Sequence, residues 1–181
     1  MKRVYVILLA LICAVGCCNA QLIHTKGKMG VGFRGGVGLP TKVSDFDQAI
    51  GYNLGLFYNL YTSNQLGLLI ELDREKKQFR YSDFTNQVLL GVGCEYAVWK
   101  PCKWLYMNLD LCGNVGYDEW NCTVMDWDEK HLVFGMNGGW AMEAYPWHFL
   151  SFVLKARQFV LFGKGENYLK PDFSLGVKVN W

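Results

Sequence analysis

The sequence predicts an all-β fold, an eight-stranded antiparallel transmembrane β-barrel of the outer-membrane type. Three observations predict it. Apolar and polar residues alternate with period two in eight segments. The connections between the segments alternate between short and long. The more polar face is rich in glycine, which a filled lumen uses and a solvated sheet does not need.

The N-terminus reads as an export signal. Lys2 and Arg3 precede an apolar run, Val4 to Val15, that is too short to cross a bilayer as a helix. Cys18-Asn19-Ala20 then supplies small residues for a signal peptidase, so residues 1–20 are expected to be removed and the mature chain to begin at Gln21. A linker over 21–26 leads to a barrel domain over 27–181. Ala14-Val15-Gly16-Cys17 offers a second reading, a lipoprotein acylated at Cys17, although the leucine that usually opens such a motif is missing. The signal holds Lys2 and Arg3 of the 18 basic residues and none of the 16 acidic ones, so the mature part is formally neutral. Nucleic-acid binders usually need a basic surplus to release counterions. Four cysteines follow the signal, Cys94, Cys102, Cys112 and Cys122; their spacing matches no zinc pattern and selects no disulfide pairing.

Strands are expected near 27–36, 50–61, 65–76, 87–98, 104–117, 131–145, 149–161 and 172–181. The first is short and glycine-rich, with Met29, Val31 and Phe33 opposite Gly30, Gly32 and Arg34. The second, third and fourth carry apolar faces at Tyr52/Leu54/Leu56/Tyr58, Leu66/Leu68/Ile70/Leu72 and Val88/Leu90/Val92/Tyr96. The fifth sets Leu105, Met107, Leu109, Leu111 and Val115 against Tyr106, Asn108, Asp110, Cys112 and Asn114. The sixth sets Leu132, Phe134, Met136, Trp140 and Met142 against Gly135, Asn137, Gly139, Ala141 and Glu143. The seventh sets Leu150, Phe152, Leu154 and Ala156 against Ser151, Val153, Lys155 and Arg157. The eighth is the cleanest, with Phe173, Leu175, Val177, Val179 and Trp181 on one face. Connections at 62–64, 99–103 and 146–148 are tight; those at 37–49, 77–86, 118–130 and 162–171 are longer. An even strand count places both ends of the barrel domain on the short-turn, periplasmic side.

The glycine-rich face is assigned to the lumen and the apolar face to lipid. The lumen then holds Arg34, Lys155, Arg157 and Lys178 with Glu71, Asp73, Glu75, Glu95, Asp110 and Glu143, sets that can neutralise each other. Lys155 and Arg157 are expected to pair with carboxylates such as Glu143, because the sixth and seventh strands are joined tightly. A one-residue slip would push both into lipid at roughly 2–4 kcal/mol each. Tyr58, Tyr61, Tyr96, Trp99, Trp104, Tyr145, Trp147, Phe149 and Trp181 are expected to form an interfacial girdle.

Chemistry is sparse. His24, His131 and His148 lack partners at catalytic or metal-ligand spacing. Asp126, Asp128, Glu129 and His131 read as a solvated acidic loop rather than a cation site. Lys26-Gly27-Lys28 and Gly163-Lys164-Gly165 precede no helix and so make no phosphate cradle. Small barrels that modify lipids use Ser and His, but His148 and Ser151 are three residues apart and would face opposite sides of a strand. No catalytic, cofactor-binding or metal-binding residue is therefore assigned, and the chain is expected not to be an enzyme.

The last third carries Asn114-Val115-Gly116-Tyr117-Asp118-Glu119, then VFGMNGGWAMEAY (133–145), FVLKARQFVLFG (152–163) and KPDFSLGVKVNW (170–181). Together these segments resemble the conjugative transposon protein TraO family of Bacteroidetes. The family's F-G-x-x-G-G stretch is similar to Phe134-Gly135 with Gly138-Gly139, its E-x-Y to Glu143-Ala144-Tyr145, and its following arginine to Arg157. Its glycine-rich ending is similar to Pro171 through Gly176-Val177, where only Gly176 remains. The agreement in order and spacing covers about 114–181; the stretch 37–113 agrees only in strand pattern. The resemblance implies a secreted protein with a part in conjugal DNA transfer, and it carries over no catalytic residue. The expected role is a non-enzymatic outer-membrane anchor or assembly partner in the transfer apparatus, with outer-membrane lipid and other apparatus proteins as partners and no direct nucleic acid. A general outer-membrane barrel for adhesion or envelope integrity is the alternative, followed by a lipid-modifying enzyme and a soluble ligand-binding barrel.

Overall fold

The computed structural model describes residues 26–39, 51–78, 84–122, 127–163 and 167–181. Eight strands form one closed antiparallel barrel in sequence order: β1 (Met29–Gly38), β2 (Gly51–Tyr61), β3 (Leu66–Gln78), β4 (Phe84–Cys102), β5 (Leu105–Cys122), β6 (Trp127–Trp147), β7 (Leu150–Gly163) and β8 (Asn167–Asn180). Closure runs through β1 and β8, where Met29 and Trp181 exchange both backbone hydrogen bonds at 3.0 Å. Even the glycine-rich β1 is paired along its whole length with β2. The readings of a signal peptide, of Gln21 as first mature residue and of Cys17 as an acylation site fall on residues outside those described.

The faces follow the alternation. Phe33, Leu54, Leu72, Val92, Leu111, Phe134, Phe152 and Leu175 point outward and are exposed. Arg34, Glu71, Asn137, Lys155 and Lys178 point inward and are buried. A continuous apolar outer surface of this size is unfavourable in water, so the belt calls for lipid. On β5 the outward residues stay apolar or glycine from Met107 to Tyr117. Ten residue steps of about 3.3 Å, tilted by about 40°, span roughly 25 Å, the height of the apolar band in barrels of this class.

Three expectations need correction. The strands advance into most of the expected loops: β5 reaches Cys122 and β6 starts at Trp127, so the connection expected over 118–130 shrinks to 123–126, and those after β3 and β7 shrink likewise. Beyond the lipid belt the outward face turns polar, with Arg74, Lys76 and Lys130 exposed on it, so the apolar–polar alternation fades there although the strands continue. Tyr61 and Tyr145 leave the expected girdle. They share the inward parity of Asn59 and Glu143 and are only 2% exposed, whereas Tyr96, Trp99, Trp147, Phe149 and Trp181 do face out near the turn end. Glu143 is bound by Lys178, not by Lys155 or Arg157. The register sets Glu143 opposite Val153, and the small Ser151 opposite Lys178 lets the long β8 side chain pass across β7 to reach it.

Candidate functional site

The lumen is the most organised part of the molecule. At its centre Arg34 of β1 binds Glu71 at 2.6 Å and Asp73 at 2.7 Å, both on β3. From the opposite wall Arg157 binds Asp73 at 2.7 Å, Glu71 at 3.1 Å and Asp172 at 2.8 Å. Lys155 adds Glu71 at 2.5 Å and Asp110 at 2.8 Å. Buried charges are tolerated when opposed and hydrogen-bonded in this way, and a buried guanidinium suits two carboxylates through its planar fork. Gly55 makes the space: a Cβ there would stand 2.4 Å from Asp73 Oδ1 and 2.8 Å from Arg34 Nε.

Toward the turn end, Lys178 donates to Glu143 at 2.5 Å and to the Tyr61 hydroxyl at 2.8 Å. The Tyr145 hydroxyl donates to the other Glu143 oxygen, and Tyr145 meets Tyr106 edge-on at 5.5 Å. Asn59 and Asn108 donate to the two oxygens of Glu95. Toward the loop end, Lys170 donates to Glu75 at 2.5 Å and to Gln87 at 2.7 Å, and it lies 4.7 Å above the Phe159 ring. Apolar side chains fill what remains: Phe57, Leu69, Cys112, Ala141 and Val153 in one group, Leu89, Val133, Phe159 and Leu161 in another. A polar cavity of about 10 Å³, lined by Asn53, Asp73, Glu75, Arg157, Lys170 and Asp172 among others, has room for a single water.

Sequence reasoning found Arg34, Lys155, Arg157, Lys178 and all six of their expected carboxylate partners, and these ten side chains do face the lumen. Lys170 escapes that reasoning, because it falls in the connection expected over 162–171, whereas the structure places it in β8. The signal was available, because Lys170, Asp172 and Ser174 extend the inward parity of β8. Ser151 is buried in the lumen while His148 sits exposed in a turn, edge-on to Phe149 at 5.5 Å. Cys94, Cys102 and Cys112 are free thiols, with Cys94 facing out and Cys112 facing in. Among the described residues no group of three His, Cys, Asp or Glu side chains is placed to hold a metal. The cluster of Asp126, Asp128, Glu129 and His131 is only partly described: His131 stands opposite Asp118 in the β5–β6 ladder, and the three acidic side chains lie outside the described residues.

Residues 26–181, nearly all of the described barrel, match the family described as conjugative transposon protein TraO. The chain belongs to the TraO family. No curated protein matches it by sequence. Among solved structures, Neisserial surface protein A aligns with this TraO-family barrel at a TM-score of 0.66 and 14% identity, covering 85% of this chain and 99% of its own. The attachment invasion locus protein Ail of Yersinia pestis aligns at 0.58 and 13%, covering 87% and 100%. The outer membrane protein OprG of Pseudomonas aeruginosa aligns at 0.57 and 11%, covering 87% and 97%. At these identities the TraO-family barrel shares their fold and nothing further is carried across.

Proposed function

We propose that this TraO-family barrel is a non-enzymatic component of a conjugative DNA-transfer apparatus, held in the outer membrane of a Gram-negative bacterium as an anchor or assembly partner. Residues 1–20 would be its cleaved export signal. The family supports the part in transfer, and the apolar belt supports the membrane location. The observation that carries the anchor reading is the occupied lumen. Arg34, Arg157, Phe57 and Tyr106 are buried across it, and an eight-stranded barrel leaves an interior that side chains fill, whereas water-filled porins need about 16–18 strands. Its charge also opposes DNA. Among the described buried residues, eight are carboxylates (Glu71, Asp73, Glu75, Glu95, Asp110, Asp118, Glu143 and Asp172) and five are basic (Arg34, Lys155, Arg157, Lys170 and Lys178). A passing single strand needs a continuous positive track. The protein therefore acts through its rims and outer wall.

Deletion of the gene in a donor strain tests this, with transfer frequency and envelope leakage measured together. Lost transfer with an intact envelope is the expected result. Normal transfer with a leaky envelope would move the protein to the alternative role in adhesion or envelope integrity. DNA-sized conductance from the purified barrel in a planar bilayer would overturn the anchor reading.

A further inference from the structure

Just beyond the loop end of the lipid belt, the outer wall changes character on one side only. Lys76, Asn86, Glu119 and Lys130 are successive cross-strand partners on β3, β4, β5 and β6, so they form one row around the wall. The row is tied together. Arg74 Nε donates to Asn86 at 3.0 Å, Asn86 donates to Glu119 at 3.4 Å, and Lys130 binds Glu119 at 2.9 Å. Tyr52, opposite Lys76 on β2, is 69% exposed and closes the row with an aromatic ring. Directly below lie Leu72, Tyr117 and Leu132, the top of the apolar belt. Arg74, Lys76 and Lys130 are exposed, and Glu119 is the single carboxylate among them. Elsewhere the wall is different: on β7, β8, β1 and β2 no described outward side chain is charged.

We propose that this row binds the phosphate groups of a phosphorylated glycolipid in the outer leaflet. The level is right, since the row begins where the apolar belt ends and headgroups start. The chemistry is right, since Arg74 and Lys76 stand two residues apart on β3 while Lys130 lies three strands along the row on β6, about 14 Å away at the usual strand spacing, so the two ends of the row can meet two phosphates at once. The glycolipid's acyl chains then lie on the apolar wall below. Glu119 fixes Lys130, and its carboxyl is held below the usual carboxylate range by the bond from Lys130 first and that from Asn86 second. It therefore stays charged and holds the Lys130 ammonium in the row. The inference rests on the outer-membrane location and not on the part in transfer.

The test titrates the folded full barrel, in neutral detergent, with hexa-acylated lipid A carrying two phosphates or none, and reads bound lipid by native mass spectrometry. The doubly phosphorylated form is expected to bind at least tenfold more tightly. Combining Arg74→Gln, Lys76→Gln and Lys130→Gln is expected to erase that preference, with folding verified by heat-modifiable gel migration. Lys100→Gln with Lys103→Gln, at the opposite rim, is expected to leave it intact. Equal binding of the two lipids by the unaltered protein would overturn the proposal without any variant. So would retention of the preference in the triple variant, or equal competition by phosphatidylglycerol, which would mark a general anionic-lipid surface. Membrane fractionation of the producing cell is scored separately, so a misplaced barrel is told apart from a missing phosphate preference.

Discussion

Arg157 and Asp172 face each other across the β7–β8 ladder, and the guanidinium holds one carboxylate oxygen through two bonds, at 2.8 and 3.1 Å. The same guanidinium reaches Asp73 and Glu71 on β3. One side chain thus ties the last strand of the barrel to the third across the full width of the lumen.

Arg157→Gln leaves three buried carboxylates short of a cation. Removing one partner of a buried pair costs about 3–5 kcal/mol. Urea unfolding in lipid vesicles, followed by the gel shift of the folded barrel, is expected to show a loss of that order. Arg157→Lys is expected to recover only part, because an ammonium lacks the planar fork. A glutamine variant as stable as the parent would contradict the assigned role.

Gly55→Val is expected to lower stability by about 1–3 kcal/mol, the usual range for overpacking. Its Cβ would meet Asp73 and Arg34 at distances no real contact shows. The neighbouring Leu54→Val, on the lipid-facing side, is expected to change little. Equal effects of the two substitutions would mean that the inward face is misassigned.

Glu119 supplies a pH test outside the lipid belt. Its carboxyl titrates below the ordinary carboxylate value because Lys130 and then Asn86 bind the charged form. The pair's contribution is therefore fully present above the ordinary value and is lost as pH falls through the lowered one. A carboxyl-carbon NMR titration is expected to give a midpoint that rises toward the ordinary value in Lys130→Gln. Added salt is expected to shrink the difference, since the group is near the surface.

Tryptophan depth checks the membrane assignment directly. Trp99, Trp147 and Trp181 are exposed at the turn end, while Trp140 is exposed farther along β6, opposite Leu109. In single-tryptophan variants, brominated lipids labelled near the headgroup are expected to quench the first three most strongly. Trp140 is expected to respond best to bromine deep in the acyl chain. Uniform quenching by a water-soluble agent would place the wall in water.

Period-two alternation was enough to read the strand order, the face assignment and most of the lumen charges. Lys155 and Arg157, for example, are determined by parity with Ser151 and Val153. Pairing partners were not legible. In a tilted barrel the residue opposite in the ladder is often not the one a long side chain reaches, so Lys178 found Glu143 two strands away. Strand ends were also hidden, because alternation reports lipid on one face and stops where lipid stops. That is why Lys170, and the row through Asn86, Glu119 and Lys130, fall where alternation alone predicts loop. Tyr61 and Tyr145 were misplaced by composition: a tyrosine near a turn suits either an interface or a lumen, and only its partners decide.

The lumen charges are not mixed evenly along the chain. Among the described buried residues, β1 to β6 contribute seven carboxylates and one arginine, whereas β7 and β8 contribute four cations and one carboxylate. The closing hairpin is the counter-charge of everything made before it. In a sheet of only the first six strands, the concave face would carry this acidic excess without its counter-charges, which opposes closure. Most of the ion pairing across the lumen therefore depends on the last two strands, although Arg34 already serves Glu71 and Asp73 within the first three. A chain that stopped after β6 would lose four of the five described buried cations and keep seven of the eight buried carboxylates.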